Sequence, residues 1–98
     1  MKGFGVHTSM WTMTWDKAGS ELAVAAALSY DFDFIEIALL SPGKVDPAAS
    51  RALLEAAELP TVCSLGLPEA VWPSRHGPDD AVAYLTHALD VAHAMAKP

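Results

Sequence analysis

The residues whose type and placement suit chemistry are few, and Glu36 stands out among them. It sits between Ile35 and Ile37 in the run Asp33 to Leu40, which is otherwise nearly all apolar. A carboxylate on a buried strand must be hydrogen-bonded, paired or held neutral. Because side chains alternate along a strand, Glu36 points away from both isoleucines. It either touches a ligand there or holds a neighbouring loop or side chain. His7 closes an earlier β-run on the same face as Gly5, whose lack of a side chain leaves room above the sheet. Trp11 and Trp15 follow in a polar loop. Large aromatics are costly to expose, so they pack on the sheet or wall an apolar pocket, and the reading favours the wall for Trp15 and packing for Trp11. Ser64 and Gly66 share one face of a third apolar run. Small residues there allow close approach of a ligand or simply fit a crowded interior.

The other candidates are weaker. His87 and His93 are six positions apart and so miss the i, i+3 or i, i+4 face that two helical metal ligands share. His76 lies beside Arg75 in a Pro/Gly loop and reads as solvated. Cys63 reads as a buried free thiol, and one cysteine cannot form an internal disulfide, which points to a reducing compartment. No HExxH, CxxC, GxSxG or GxGxxG occurs, so the chain holds neither a complete catalytic set nor a metal set.

The elements that must position these residues follow from hydrophobic period and punctuation. Lys2 to His7 reads as a strand with Phe4 and Val6 on one face, and Thr8 to Asp16 as a loop. Leu22, Ala25, Ala26 and Ser29 then recur at helical spacing, with Asp16 or Ser20 to cap the first amides. Asp33 to Leu40 is a strand buried on both faces, as in a parallel sheet. Asp46-Pro47 opens a second helix, expected to run to about Glu58. Pro60 to Leu67 is a third strand, Pro68 to Gly77 a loop carrying Trp72, and Pro78 opens a third helix with a stripe of Val82, Leu85, Leu89, Ala92 and Ala96. The expected fold class is therefore α/β, three βα units in the order β-α-β-α-β-α with parallel strands and no boundary within residues 1–98. A TIM (β/α)8 barrel needs eight units in roughly 250 residues, so these three would be its first three-eighths. In such folds ligands gather at the C-terminal ends of strands, where His7 to Trp15, Glu36 to Ser41 and Ser64 to Trp72 fall.

Composition narrows the function. Six Lys+Arg against twelve Asp+Glu give a net charge of −6, and the basic residues are scattered singly, which argues against nucleic acid. Hydrophobic residues make up 52% and charged ones 18%, so disorder is excluded and much of the surface must be covered by something else. No signal-like segment or membrane-length apolar run occurs, and the expectation is a cytoplasmic protein with no membrane partner. The run ends at Pro98 where a further strand is expected.

The opening Gly5-Val6-His7-Thr8-Ser9-Met10-Trp11-Thr12-Met13-Thr14-Trp15, the strand Phe32-Asp33-Phe34-Ile35-Glu36-Ile37 and the strand Val62-Cys63-Ser64-Leu65-Gly66-Leu67 resemble the ketose 3-epimerases, the D-tagatose and D-psicose (allulose) 3-epimerase group of the xylose-isomerase-like TIM barrels. The resemblance covers essentially the whole chain, and the pairing of Trp11 with Trp15 is its more specific part. It implies a homo-oligomeric enzyme acting on a ketose monosaccharide. A divalent metal, usually manganese, holds O2 and O3 while two glutamates move the C3 proton through a cis-enediolate. It places the metal ligands and both catalytic glutamates on later strands, so none lies here. It places His7 and Trp15 beside the sugar, Ser64 and Gly66 near its distal part, and Glu36 at a glutamate that is not a metal ligand. Two departures stand out. Asp31 replaces a glycine that often ends the first helix, and His7 replaces a common aromatic, adding a hydrogen-bond donor.

The expectation is thus an N-terminal portion that supplies part of a substrate wall and is inactive alone. Two rivals remain. One is another xylose-isomerase-like sugar isomerase or dehydratase; a phosphosugar version is weakened because the loop near Trp15 carries no Lys or Arg. The other is a truncated or designed βα module that buries its edges by self-association without activity.

Overall fold

The computed structural model describes residues 3–95. Three parallel strands, β1 (Gly5–His7), β2 (Phe34–Leu39) and β3 (Thr61–Leu65), form one sheet in the order β1-β2-β3. The helices are α1 (Lys17–Ser29), α2 (Pro47–Ala56), a short α3 (Pro73–His76) and α4 (Pro78–Met95). Three parallel strands alternating with helices is the architecture the hydrophobic period implied.

The helices cover one face of the sheet. Ile35, Ile37 and Leu39 of β2 pack into a core with Ala23, Val24 and Ala27 of α1, Leu54 of α2, and Val91 and Met95 of α4. The alternate residues Gly5, His7, Phe34, Glu36, Val62 and Ser64 occupy the other face. Among the described residues no helix is long and apolar enough to cross a membrane.

Each helix after the first two strands starts on an aspartate. Asp16 Oδ1 accepts the Gly19 N–H at 2.7 Å and Asp46 Oδ1 accepts the Ala49 N–H at 3.1 Å, filling donors that a helix start leaves open. Both helices also stop alike. Phe32 N–H bonds Ala27 O and Leu59 N–H bonds Leu54 O, with Asp31 and Glu58 in the left-handed region at φ 57° and 53°. This closes the helix carbonyls and turns an apolar residue back onto the core.

Several expectations change. β1 begins at Gly5, with Phe4 outside it and 82% exposed, while Lys2 lies outside the described residues. The room above Gly5 is taken by Phe34, its partner on β2: an added Cβ would clash with that ring. α2 ends at Ala56 because Glu58 has left helical φ. The stretch Pro68 to Gly77 is not plain loop but a 3-10 turn, Glu69–Val71, followed by α3.

The helical stripes are rotated as well. On α1 the buried residues are Gly19, Ser20, Ala23, Val24 and Ala27, whereas Leu22, Ala25 and Ser29 are exposed. On α4 the buried set is Ala81, Ala88, Val91 and Met95; Val82 and Leu89 are exposed, and Ala96 lies outside the described residues. α1 is apolar around most of its circumference, so hydrophobicity alone selects no face there, whereas on α4 Asp79, Thr86, Asp90 and His93 mark a polar side opposite the buried residues. On the buried faces alanines alternate with Val24 on α1 and with Val91 and Met95 on α4, all of which enter the core.

Candidate functional site

Parallel pairing brings His7 opposite Glu36, and Ala38 opposite Ser64, at the C-terminal ends of the strands. Three residues distant in sequence thereby meet on the open sheet face. His7 Nε2 lies 3.1 Å from Ser64 Oγ and 3.6 Å from Glu36 Oε2. The side chains of His7 and Glu36 are 37% and 43% exposed, so the cluster is open to a ligand.

The loop after β1 braces this cluster. Its first turn, Thr8–Met10, is a 3-10 turn capped by His7 itself, whose Nδ1 accepts the Ser9 N–H at 3.1 Å. Thr8 is buried and its Oγ1 accepts the Ala38 N–H at 3.1 Å, tying the turn to β2. Ser64 Oγ also reaches Ile37 O at 3.4 Å.

Trp15 has a different environment. It is 6% exposed, belongs to the core, and its indole N–H donates to Ser50 Oγ of α2 at 3.0 Å. It also lines a cavity of ≈ 180 Å³ with Met13, Leu39, Leu40, Lys44 and Val45. Trp11 is half-buried and meets Phe32 edge-on at 6.3 Å. Gly66 follows β3, is exposed, and has nothing within 4 Å of where a Cβ would stand. Of the five sequence candidates the fold therefore brings three together, His7, Glu36 and Ser64. Trp15 sits apart in the core and Gly66 faces open space.

Sequence reasoning missed four residues. Ser9 and Thr8 carried a signal, as hydroxyls directly after a strand-ending histidine. Ser50 carried none, being one small residue among the alanines of α2. Lys44 is the fourth: the first loop contains no cation near Trp15, but the next loop brings Lys44 to the same cavity. That removes part of the argument against a phosphorylated ligand.

Cys63 is half-buried against the core, not fully buried as expected, and that burial pushes its thiol pKa up. The i, i+4 bond from Lys17 to Glu21 Oε1 at 2.8 Å raises the lysine pKa on an exposed helix surface. Among the described residues no group of three or more His, Cys, Asp or Glu could hold a metal ion.

No protein-family model matches the chain. Over 67 residues it is 40% identical to an L-ribulose 3-epimerase of Methylomonas sp. (strain DH-1), a stretch covering 68% of this chain and 23% of that protein. A solved D-allulose 3-epimerase from Methylomonas sp., in complex with D-allulose, superposes with a TM-score of 0.83 at 33% identity, covering 95% of this chain and 33% of that one. A solved L-ribulose 3-epimerase gives a TM-score of 0.82 at 21% identity, covering 98% and 33%, and speaks to the fold alone. The chain spans about a third of the length of these structures. By residue pattern, topology and sequence identity, the chain is a homologue of the ketose 3-epimerases, three βα units of their TIM barrel, consistent with an N-terminal portion.

Proposed function

We propose that the chain is part of a ketose 3-epimerase and supplies a portion of the wall against which a free ketose is held. The observation that carries this reading is the joint match, in sequence and in fold, to proteins named as L-ribulose and D-allulose 3-epimerases. His7, Glu36 and Ser64 form the sugar-facing cluster, with Gly66 leaving space beside them and Trp15 supporting the loop above. Inverting C3 requires proton removal on one side of the sugar and return on the other, which calls for two groups able to carry a proton. The cluster has one carboxylate, Glu36, with the His7 ring 3.6 Å from it. The chemistry therefore belongs to the rest of the barrel, and the isolated chain is inactive.

The divalent metal implied by the family resemblance does not fit the residues described here. His7 and Glu36 are only a pair, and the Ser9 N–H on Nδ1 leaves the proton, not a lone pair, on Nε2. We assign that metal, manganese in this reading, to strands beyond these three. A cytoplasmic homo-oligomer, with neither nucleic acid nor membrane as partner, completes the proposal.

The test is intact mass followed, on the same material, by a manganese-supplemented conversion of fructose to psicose. Turnover by a protein of full barrel mass that contains this segment supports the reading; a full barrel without turnover on any free ketose overturns it. A second reading, self-association of an inactive module, is favoured by one observation: Phe34, Glu36 and Val62 lie on a sheet face that no helix covers. Monomers at micromolar concentration by light scattering would count against it.

A further inference from the structure

We propose that Ser9 is a positioning residue that fixes His7 as an Nε2–H donor, so that His7 and Glu36 together select a hydroxyl group; the ligand half of this rests on the ketose reading above. A backbone N–H only donates, so the Ser9 N–H at 3.1 Å from His7 Nδ1 requires a lone pair on that nitrogen. The neutral ring then carries its proton on Nε2. With Nδ1 unprotonated, the Ser9 hydroxyl, 2.6 Å away, donates to the same lone pair as a second, sharing donor. The direction propagates across the sheet. His7 Nε2–H points to Ser64 Oγ at 3.1 Å, and the Ser64 hydroxyl, having accepted, donates to Ile37 O at 3.4 Å.

Glu36 is the acceptor that this chain of bonds leaves unused. Its Oε2 stands 3.6 Å from Nε2, too far for a direct hydrogen bond. An oxygen lying about 2.8 Å from each atom would bridge them. That oxygen must take the Nε2–H over from Ser64 Oγ and donate to the carboxylate. A hydroxyl does both, a carbonyl or ether oxygen does only the first, and a deoxy position neither. The same tautomer prevents Nε2 from ligating a metal or acting as a base.

The test is ¹⁵N NMR of the labelled chain at a pH where the imidazole is neutral. The expected result is a protonated Nε2 and an unprotonated Nδ1 for His7. Ser9→Ala, which keeps the amide, preserves this state, and Ser9→Pro, which removes it, yields a tautomer mixture. A wild-type His7 protonated on Nδ1 overturns the proposal without reliance on any variant. In the full barrel that contains this segment, D-fructose should then shift the His7 Nε2 and Glu36 carboxylate signals, and its per-O-methyl ether should not. Equal shifts, or none with fructose, overturn the hydroxyl selection while leaving the Ser9 result standing. Failure of the epimerase reading is separate, since it shows as absent turnover in the full barrel.

Discussion

Trp15 shows how a tryptophan in a polar loop is recruited into packing. Its ring is nearly sealed in the core and its N–H is taken by Ser50. Trp15→Ala should therefore cost about 3–5 kcal/mol, read as a lowered urea midpoint, because a large buried ring leaves a cavity. Ser50→Ala keeps the ring but leaves a buried donor unpaired, so a smaller loss of about 1–3 kcal/mol is expected in the same titration. An unchanged midpoint for both would mean that Trp15 is not held as described. Cys63 gives a chemical readout. With its pKa raised by burial, it should react with iodoacetamide at pH 8 well below the rate of free cysteine, and denaturant should remove the difference.

At the scale of elements, helix ends and one glycine decide more than propensity does. Gly19 lies within α1, where alanine would ordinarily gain about 1 kcal/mol. Here an added Cβ would stand 2.5 Å from the Thr14 carbonyl oxygen, a backbone atom that cannot swing aside. Gly19→Ala should thus lower the melting temperature, and a rise would show that the loop yields. Asp31 and Glu58 carry the opposite expectation. Each holds positive φ at a helix stop, which costs a side-chain-bearing residue about 1–2 kcal/mol. Asp31→Gly and Glu58→Gly should each recover part of that, offset by glycine's larger unfolded-state entropy, for a gain of up to about 1 kcal/mol by thermal denaturation. The resemblance had marked Asp31 as standing at a usual glycine, and its φ of 57° is the conformation such a glycine would take.

At the scale of the molecule, the sheet is covered on one face and open on the other. Its exposed large apolar residues include Val62 beside the His7 cluster, and Val82 and Leu89 on α4. Parallel sheets are ordinarily buried on both faces, and this one leaves apolar surface open on the second. The 98-residue chain should bind a hydrophobic dye such as ANS and show no fructose epimerisation with manganese present. Turnover by the isolated chain would overturn the assignment of the catalytic groups to the rest of the barrel.

Order and type of the main elements were legible in the residues: alternation about Glu36, Asp-Pro before α2, and the Pro and Gly punctuation are local signals that act over a few positions. His7, Glu36, Ser64 and Trp15 were likewise visible, because a polar group on an apolar strand, or an aromatic in a polar loop, needs an explanation in any fold. The rest depends on contacts between distant segments. Which face of α1 is buried is decided by packing, because nearly all of its faces are apolar and only contact with the core selects Ala23, Val24 and Ala27. Ser50 gains its role only when α2 meets Trp15, and Lys44 only when two loops converge on one cavity. The hydrogen-bond direction from Ser9 through His7 to Ser64 is likewise tertiary. It needs three parallel strands in register, which bring His7 and Ser64, 57 positions apart, within 3.1 Å.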